Sequence, residues 1–170
     1  MSNAYGALIG RGSMQRDKRG TIRGRLCAGR GQSLVEFALI LPVLMIMVFG
    51  IIDFGMGLRS YISLTNATRE GARFAAIGNV AGAYPANCDG TSNTTVIGRV
   101  CYTIEGLDLA DLTSVSVTYP NGQMPGNSVV VSADYTYNYI TPLGDIVDFF
   151  SGGSFPDALS LSTSTDMRLE

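Results

Sequence analysis

At 170 residues the chain has room for one modest domain and a membrane anchor. Its charge nearly cancels overall, yet residues 1–31 hold seven basic residues and one acid, and residues 32–170 hold five basic and thirteen acidic residues. Asymmetry of this size implies that the two parts meet different surroundings. The absence of histidine removes the commonest general base and a common metal ligand, which argues against a hydrolase or a zinc enzyme.

The basic stretch at 11–30 carries no aromatic residue for base stacking and leads directly into an apolar run. It therefore fits the cytoplasmic flank of a membrane segment better than a nucleic-acid contact, and no nucleic-acid partner is expected. Phe37–Ile52 is sixteen residues without a charge, about 24 Å as a helix. Adding Leu34–Val35 and Phe54–Leu58 brings the segment to spanning length, with Glu36 and Asp53 near opposite interfaces. The positive flank predicts an N-terminus on the cytoplasmic side and everything beyond Leu58 outside. A cleaved secretory signal fits poorly, because the helical pattern continues past the apolar run. Cys27 precedes that run instead of following it, which also disfavours a lipoprotein signal. Pro42 is tolerable within a membrane helix. Asp53 reads as an interfacial cap on the span, with a specific partner on another subunit as the alternative.

The helix is expected to continue through 59–77, with Leu58, Tyr61, Ile62, Thr65, Ala72 and Ala76 as its apolar or small positions and Arg69, Glu70 and Arg73 available for surface charge pairing. Ala67, Gly71 and Ala75 form a small-residue ridge at a four-residue spacing. Such a ridge packs either on the chain's own sheet or on a neighbouring subunit's helix. Residues 79–95 read as a loop, 96–107 as a short second helix, and 121–127 as a turn cluster. Period-two alternation predicts strands over 112–120, 128–142 and 157–169. The stretch 143–150 reads as a short amphipathic turn or helix. Cys88 and Cys101 fall on the exported side, where a disulfide is the default and two buried thiols the alternative. Two Asn-x-Thr sequons are frequent by chance, the acids at 145, 148 and 157 lack calcium-loop spacing, and no hydrolase, phosphate-loop or metalloprotease motif is present.

The segment "RGQSLVEFALILPVLMIMVFGIIDFG", followed by "YISLTNATREGARFAAI", resembles the start of TadE-like proteins, the pseudopilins of tight-adherence (Flp-type) pilus systems. The ending "LSLSTSTDMRLE" is similar to the family's closing strand. The resemblance implies that a prepilin peptidase cuts the Gly31–Gln32 bond. Glu36 then becomes the fifth residue of the mature chain, with Phe37 at the following position, where related pilins often carry an aromatic residue. A glycine lets the backbone enter a protease site. The new N-terminal amine and the Glu36 carboxylate would pair between adjacent subunits in an apolar bundle, unless Gln32 cyclises to pyroglutamate and erases that amine.

The expected architecture is α+β: a long N-terminal membrane-spanning helix that extends outside the membrane and packs on a small antiparallel sheet of about three strands, with a short second helix. The expected parts are a basic cytoplasmic leader, 1–31; a transmembrane helix, 32–58; its extracytoplasmic extension, 59–78; and a small α+β domain, 79–170. The implied function is a minor pilin-like subunit of a Flp/tight-adherence pilus in the inner (cytoplasmic) membrane. Its partners would be the membrane, a prepilin peptidase, other pilins and pseudopilins, and the pilus assembly platform. The competing reading is a permanently anchored extracytoplasmic adhesin or binding module, neither cleaved nor polymerised. No enzyme activity, catalytic residue, cofactor or metal is expected.

Overall fold

A computed structural model describes residues 23–153 and 155–170; the side chains of residues 23–30 and of Phe150 are outside the description. Most of the expected leader, residues 1–22, thus lies outside the described residues, as does the Cys27 side chain. The elements in chain order are helices α1 (Arg23–Ala76) and α2 (Val96–Thr103), strands β1 (Leu112–Thr118) and β2 (Ser128–Asn138), helix α3 (Leu143–Ser151) and strand β3 (Ala158–Arg168), with a one-turn 3-10 helix at Leu109–Asp111 before β1. The fold is α+β. The chain divides into two units, one ending at Val43 and one running from Leu44 to Glu170.

In the first unit the described residues are helical, and residues 31–43 are exposed throughout. The stretch Gly31–Ala76 contains an apolar window, wholly unburied, that is long enough and apolar enough to cross a membrane.

In the second unit the three strands form an antiparallel meander in the order β1-β2-β3. Val129, Val131, Ala133, Tyr135 and Tyr137 alternate along β2 onto one buried face. The β3 register sets Val131 opposite Thr165 and Tyr137 opposite Leu159. Helix α1 lies on that buried face. Its inward stripe, Asp53, Gly57, the half-buried Ser60, Leu64, Thr68, Gly71 and Ala75, recurs at three- and four-residue steps, the period of one helical face. Helix α2 supplies Val96, Ile97 and Val100 to the same core. The Thr95 hydroxyl caps its first turn by accepting from the Gly98 amide. At the far end, the Glu170 amide donates to the Ala76 carbonyl at 3.0 Å, so the C-terminus satisfies the last turn of α1.

Four sequence expectations change here. The second helix stops at Thr103 instead of 107: Ile104 turns extended, the Glu105 amide donates to the Ser63 hydroxyl, and Gly106 adopts φ +73°, which ends helical geometry. Strand β2 stops at Asn138 instead of 142, because the amides of Ile140 and Thr141 bond a carboxylate on α1 and not a neighbouring strand. Leu58, Tyr61 and Ile62, grouped with Thr65, Ala72 and Ala76 as the apolar or small positions of the helix, are exposed. Asp53 is the fourth. Read from the sequence as an interfacial cap with a partner on another subunit as the alternative, it is buried against the chain's own sheet, and its hydrogen-bond donors come from this chain.

Cys88 and Cys101 form a disulfide with Cα atoms 5.2 Å apart, closing a loop of sequence separation 13. It ties the 79–95 loop to α2. Under the loop-entropy model a closure of this size contributes about 3 kcal/mol.

Candidate functional site

The residues that sequence reasoning singled out occupy two places. Gly31, Gln32, Glu36 and Phe37 lie on the exposed N-terminal stretch of α1. Here Gly31 is helical, and a Cβ built on it would meet nothing within 4 Å. Packing therefore gives no reason for glycine at that position, which leaves its backbone freedom. The Gln32 side-chain Nε2 donates to Glu36 Oε1 at 3.4 Å, one helical turn on. Glu36 stands among exposed apolar neighbours, with Leu34, Val35, Phe37, Leu39 and Ile40 all open to the surroundings. A single acid on an otherwise apolar, outward-facing surface is costly in a hydrocarbon setting unless it meets a partner.

Ala67, Gly71 and Ala75 lie in the second unit and are buried. The ridge packs on the chain's own α2 and sheet. A Cβ on Gly71 would overlap the Val100 methyl and come within 3.6 Å of Val131 Cγ1, so the helix approaches its neighbours as closely as only glycine permits. The rest of the "NATREGARFAA" segment holds the same interface. The Thr68 and Thr165 hydroxyls are 3.1 Å apart, joining α1 to β3. The Glu70 carboxylate receives Arg73 from its own helix at 3.1 Å and Arg99 from α2 at 2.7 Å. These hydrogen bonds, first from Arg73 and then from Arg99, hold the Glu70 carboxyl down to about 2. Sequence reasoning anticipated charge pairing along the helix; the reach of Arg99 from α2 was not legible.

Asp53, read from the sequence as an interfacial cap, has partners within this chain that the sequence did not reveal. Its side chain is only 3% exposed. Oδ1 accepts from the Ile140 amide at 2.9 Å, the Thr141 amide at 3.3 Å and the Tyr137 hydroxyl at 3.4 Å. Oδ2 accepts from the Thr141 hydroxyl. The carboxylate thus anchors the loop after β2 to α1 at the point where the uncharged run ends. A usable signal was the isolation of one acid at the end of that run; its partners, some 87 residues away, carry no local pattern. Beside it is a cleft of about 310 Å³ lined mainly by apolar and aromatic side chains, among them Phe54, Tyr61, Tyr137, Tyr139, Leu159 and Leu161. Among the described residues no group of three His, Cys, Asp or Glu side chains is placed to hold a metal ion.

No curated protein and no solved structure matches the chain. Over residues 31–73, from the helical glycine to the arginine paired with Glu70, the chain matches the family model described as TadE-like protein.

Proposed function

We propose that this chain is a minor pilin-like subunit of a Flp/tight-adherence pilus, a structural component and not an enzyme. The TadE-like segment suggests a Tad pilus-associated protein, and the one helix among the described residues that is long and apolar enough to span fits a single-pass membrane protein. In this reading the basic leader stays in the cytoplasm, the span sits in the inner membrane, and the α+β domain lies outside. A prepilin peptidase cuts Gly31–Gln32. The new amine then meets the Glu36 carboxylate of an adjacent pilin, and the assembly platform draws the subunit from the bilayer into the fibre.

The observation that carries this reading is Glu36 itself, a carboxylate on an exposed apolar surface one turn from the glycine-glutamine bond. A permanent anchor would be served better by leucine there, since an acid only adds insertion cost. The test is a Glu36→Leu strain compared with wild type for protein level, leader removal and surface pili. Replacing the acid lowers the insertion cost by a few kcal/mol at most at this shallow depth. It leaves a neighbour's amine unpaired in a low-dielectric bundle, which is expensive. The expected result is a stable, processed, membrane-resident protein with few or no pili. Normal piliation refutes the pairing. Loss of the protein itself assigns Glu36 to folding or turnover instead.

A further inference from the structure

The position of Asp53 fixes more than a loop. It follows the last uncharged residue of the run, Ile52, and the segment beginning at Ile140 is tied to it through two backbone amides. The start of α3, three residues on, is therefore held level with the end of the apolar stretch of α1. Large apolar side chains of α1, the Ile140 loop and α3 are exposed: Phe54 75%, Ile140 62% and Phe149 83%. Tyr137 and Tyr139 stand edge to face with ring centroids 6.3 Å apart, and Tyr139 lies against Phe155 at 5.6 Å. Aromatic rings, tyrosine above all, gather at the depth where hydrocarbon gives way to headgroups. Gly50 and Phe54 of α1 line one cleft with Tyr137 and Tyr139, next to the exposed apolar side chains of residues 44–52, the part of α1 suited to lipid.

We infer that this end of the domain rests in the bilayer interface: α3 and the Ile140 loop lie on the outer leaflet as a monotopic facet, and acyl chains fill the apolar cleft beside Tyr137 and Leu159. The proposal depends on the span reading above. The occupant is lipid, because the same helix that forms one wall of the cleft enters the hydrocarbon directly below it. The attraction is apolar, since residues 140–158 contain no Lys or Arg to seek anionic headgroups. The carboxylate that sets this depth is tolerated beside lipid because four donors surround it and water is not needed to solvate it.

The chain has no tryptophan, so a single introduced indole reports its own depth. Full-length Ile140→Trp and Phe149→Trp variants would be reconstituted in phosphatidylcholine vesicles with and without brominated acyl chains. Leu44→Trp is the reference within the span, and Tyr102→Trp, exposed on α2, is the reference in water. The expected result is blue-shifted emission and loss of fluorescence with bromine for Ile140→Trp and Phe149→Trp. Bromine near the headgroup end should quench both more than bromine deep in the chain. Leu44→Trp should be quenched most by deep bromine, and Tyr102→Trp should not be quenched. Water-like, unquenched emission from Ile140→Trp and Phe149→Trp beside a quenched Leu44→Trp overturns the facet alone. An unquenched Leu44→Trp overturns the span, and the facet with it. A blue shift that depends on the protein-to-lipid ratio and not on bromine means that a second copy covers the patch, and also overturns the proposal.

Discussion

Replacing Asp53 with alanine removes the one side chain that accepts hydrogen bonds from the Ile140 and Thr141 amides and from the Tyr137 and Thr141 hydroxyls. The hydroxyls rotate and find water or each other. The two amides are fixed by the backbone as the chain leaves β2. An N–H stranded in a partly buried place costs about 1–3 kcal/mol, so Asp53→Ala should destabilise the α+β domain by about 2–5 kcal/mol, the lower end applying where water reaches the loop. For a domain of this size that is a fall in midpoint temperature of very roughly 5–20 °C. Asp53→Asn keeps one carbonyl oxygen for the Ile140 amide and should cost less than half as much. The assay is thermal unfolding in micelles, paired with amide hydrogen exchange at Ile140 and Thr141. Both amides should exchange faster in Asp53→Ala, while the β2 amides at Val129 and Val131 keep their order of protection. An unchanged midpoint with unchanged exchange at 140 and 141 would refute the anchoring role.

Two further outcomes follow from the interface of α1 with α2. Gly71→Ala places a methyl where the Val100 methyl already sits, so overpacking should cost about 1–3 kcal/mol; a urea midpoint equal to wild type would show that the two helices are not this close. Glu70 titrates at about 2 in the folded chain against an ordinary value of 4.5. Its contribution is therefore complete above pH 4.5 and is lost as pH falls through about 2. Acid unfolding of Glu70→Gln should lose that part of the pH dependence, and a curve parallel to wild type over this window would exclude the bridge.

The sequence was informative wherever the pattern is local. Alternation from Val129 to Tyr137 declares a half-buried strand, and sixteen uncharged residues declare a helix that shuns water. The small ridge at 67, 71 and 75 announced close packing but not against what. Gly71 meets Val100, a residue whose position depends on how the 79–95 loop folds back. The helical face was misjudged because Leu58, Tyr61 and Ile62 are apolar yet exposed, as one expects when water is not the only surrounding. Asp53 was hidden for the opposite reason: a polar residue faces the core because the chain ends of the sheet present donors there. The strand and helix ends at Asn138 and Thr103 were overrun because both are set by long-range hydrogen bonds, to Asp53 and Ser63. At Glu36 the residue pattern and its resemblance to a family suggested the role proposed above, because one acid in an apolar run is conspicuous without any tertiary context.

The central claim is that this chain is processed as a pilin and is not simply anchored. Intact mass and N-terminal sequence of the protein extracted from membranes of cells with an active prepilin peptidase test it most directly. Processing yields a mature chain that begins at Gln32, with or without cyclisation, and that carries Glu36 as its fifth residue. A chain from those membranes that still carries residues 1–31 would contradict it.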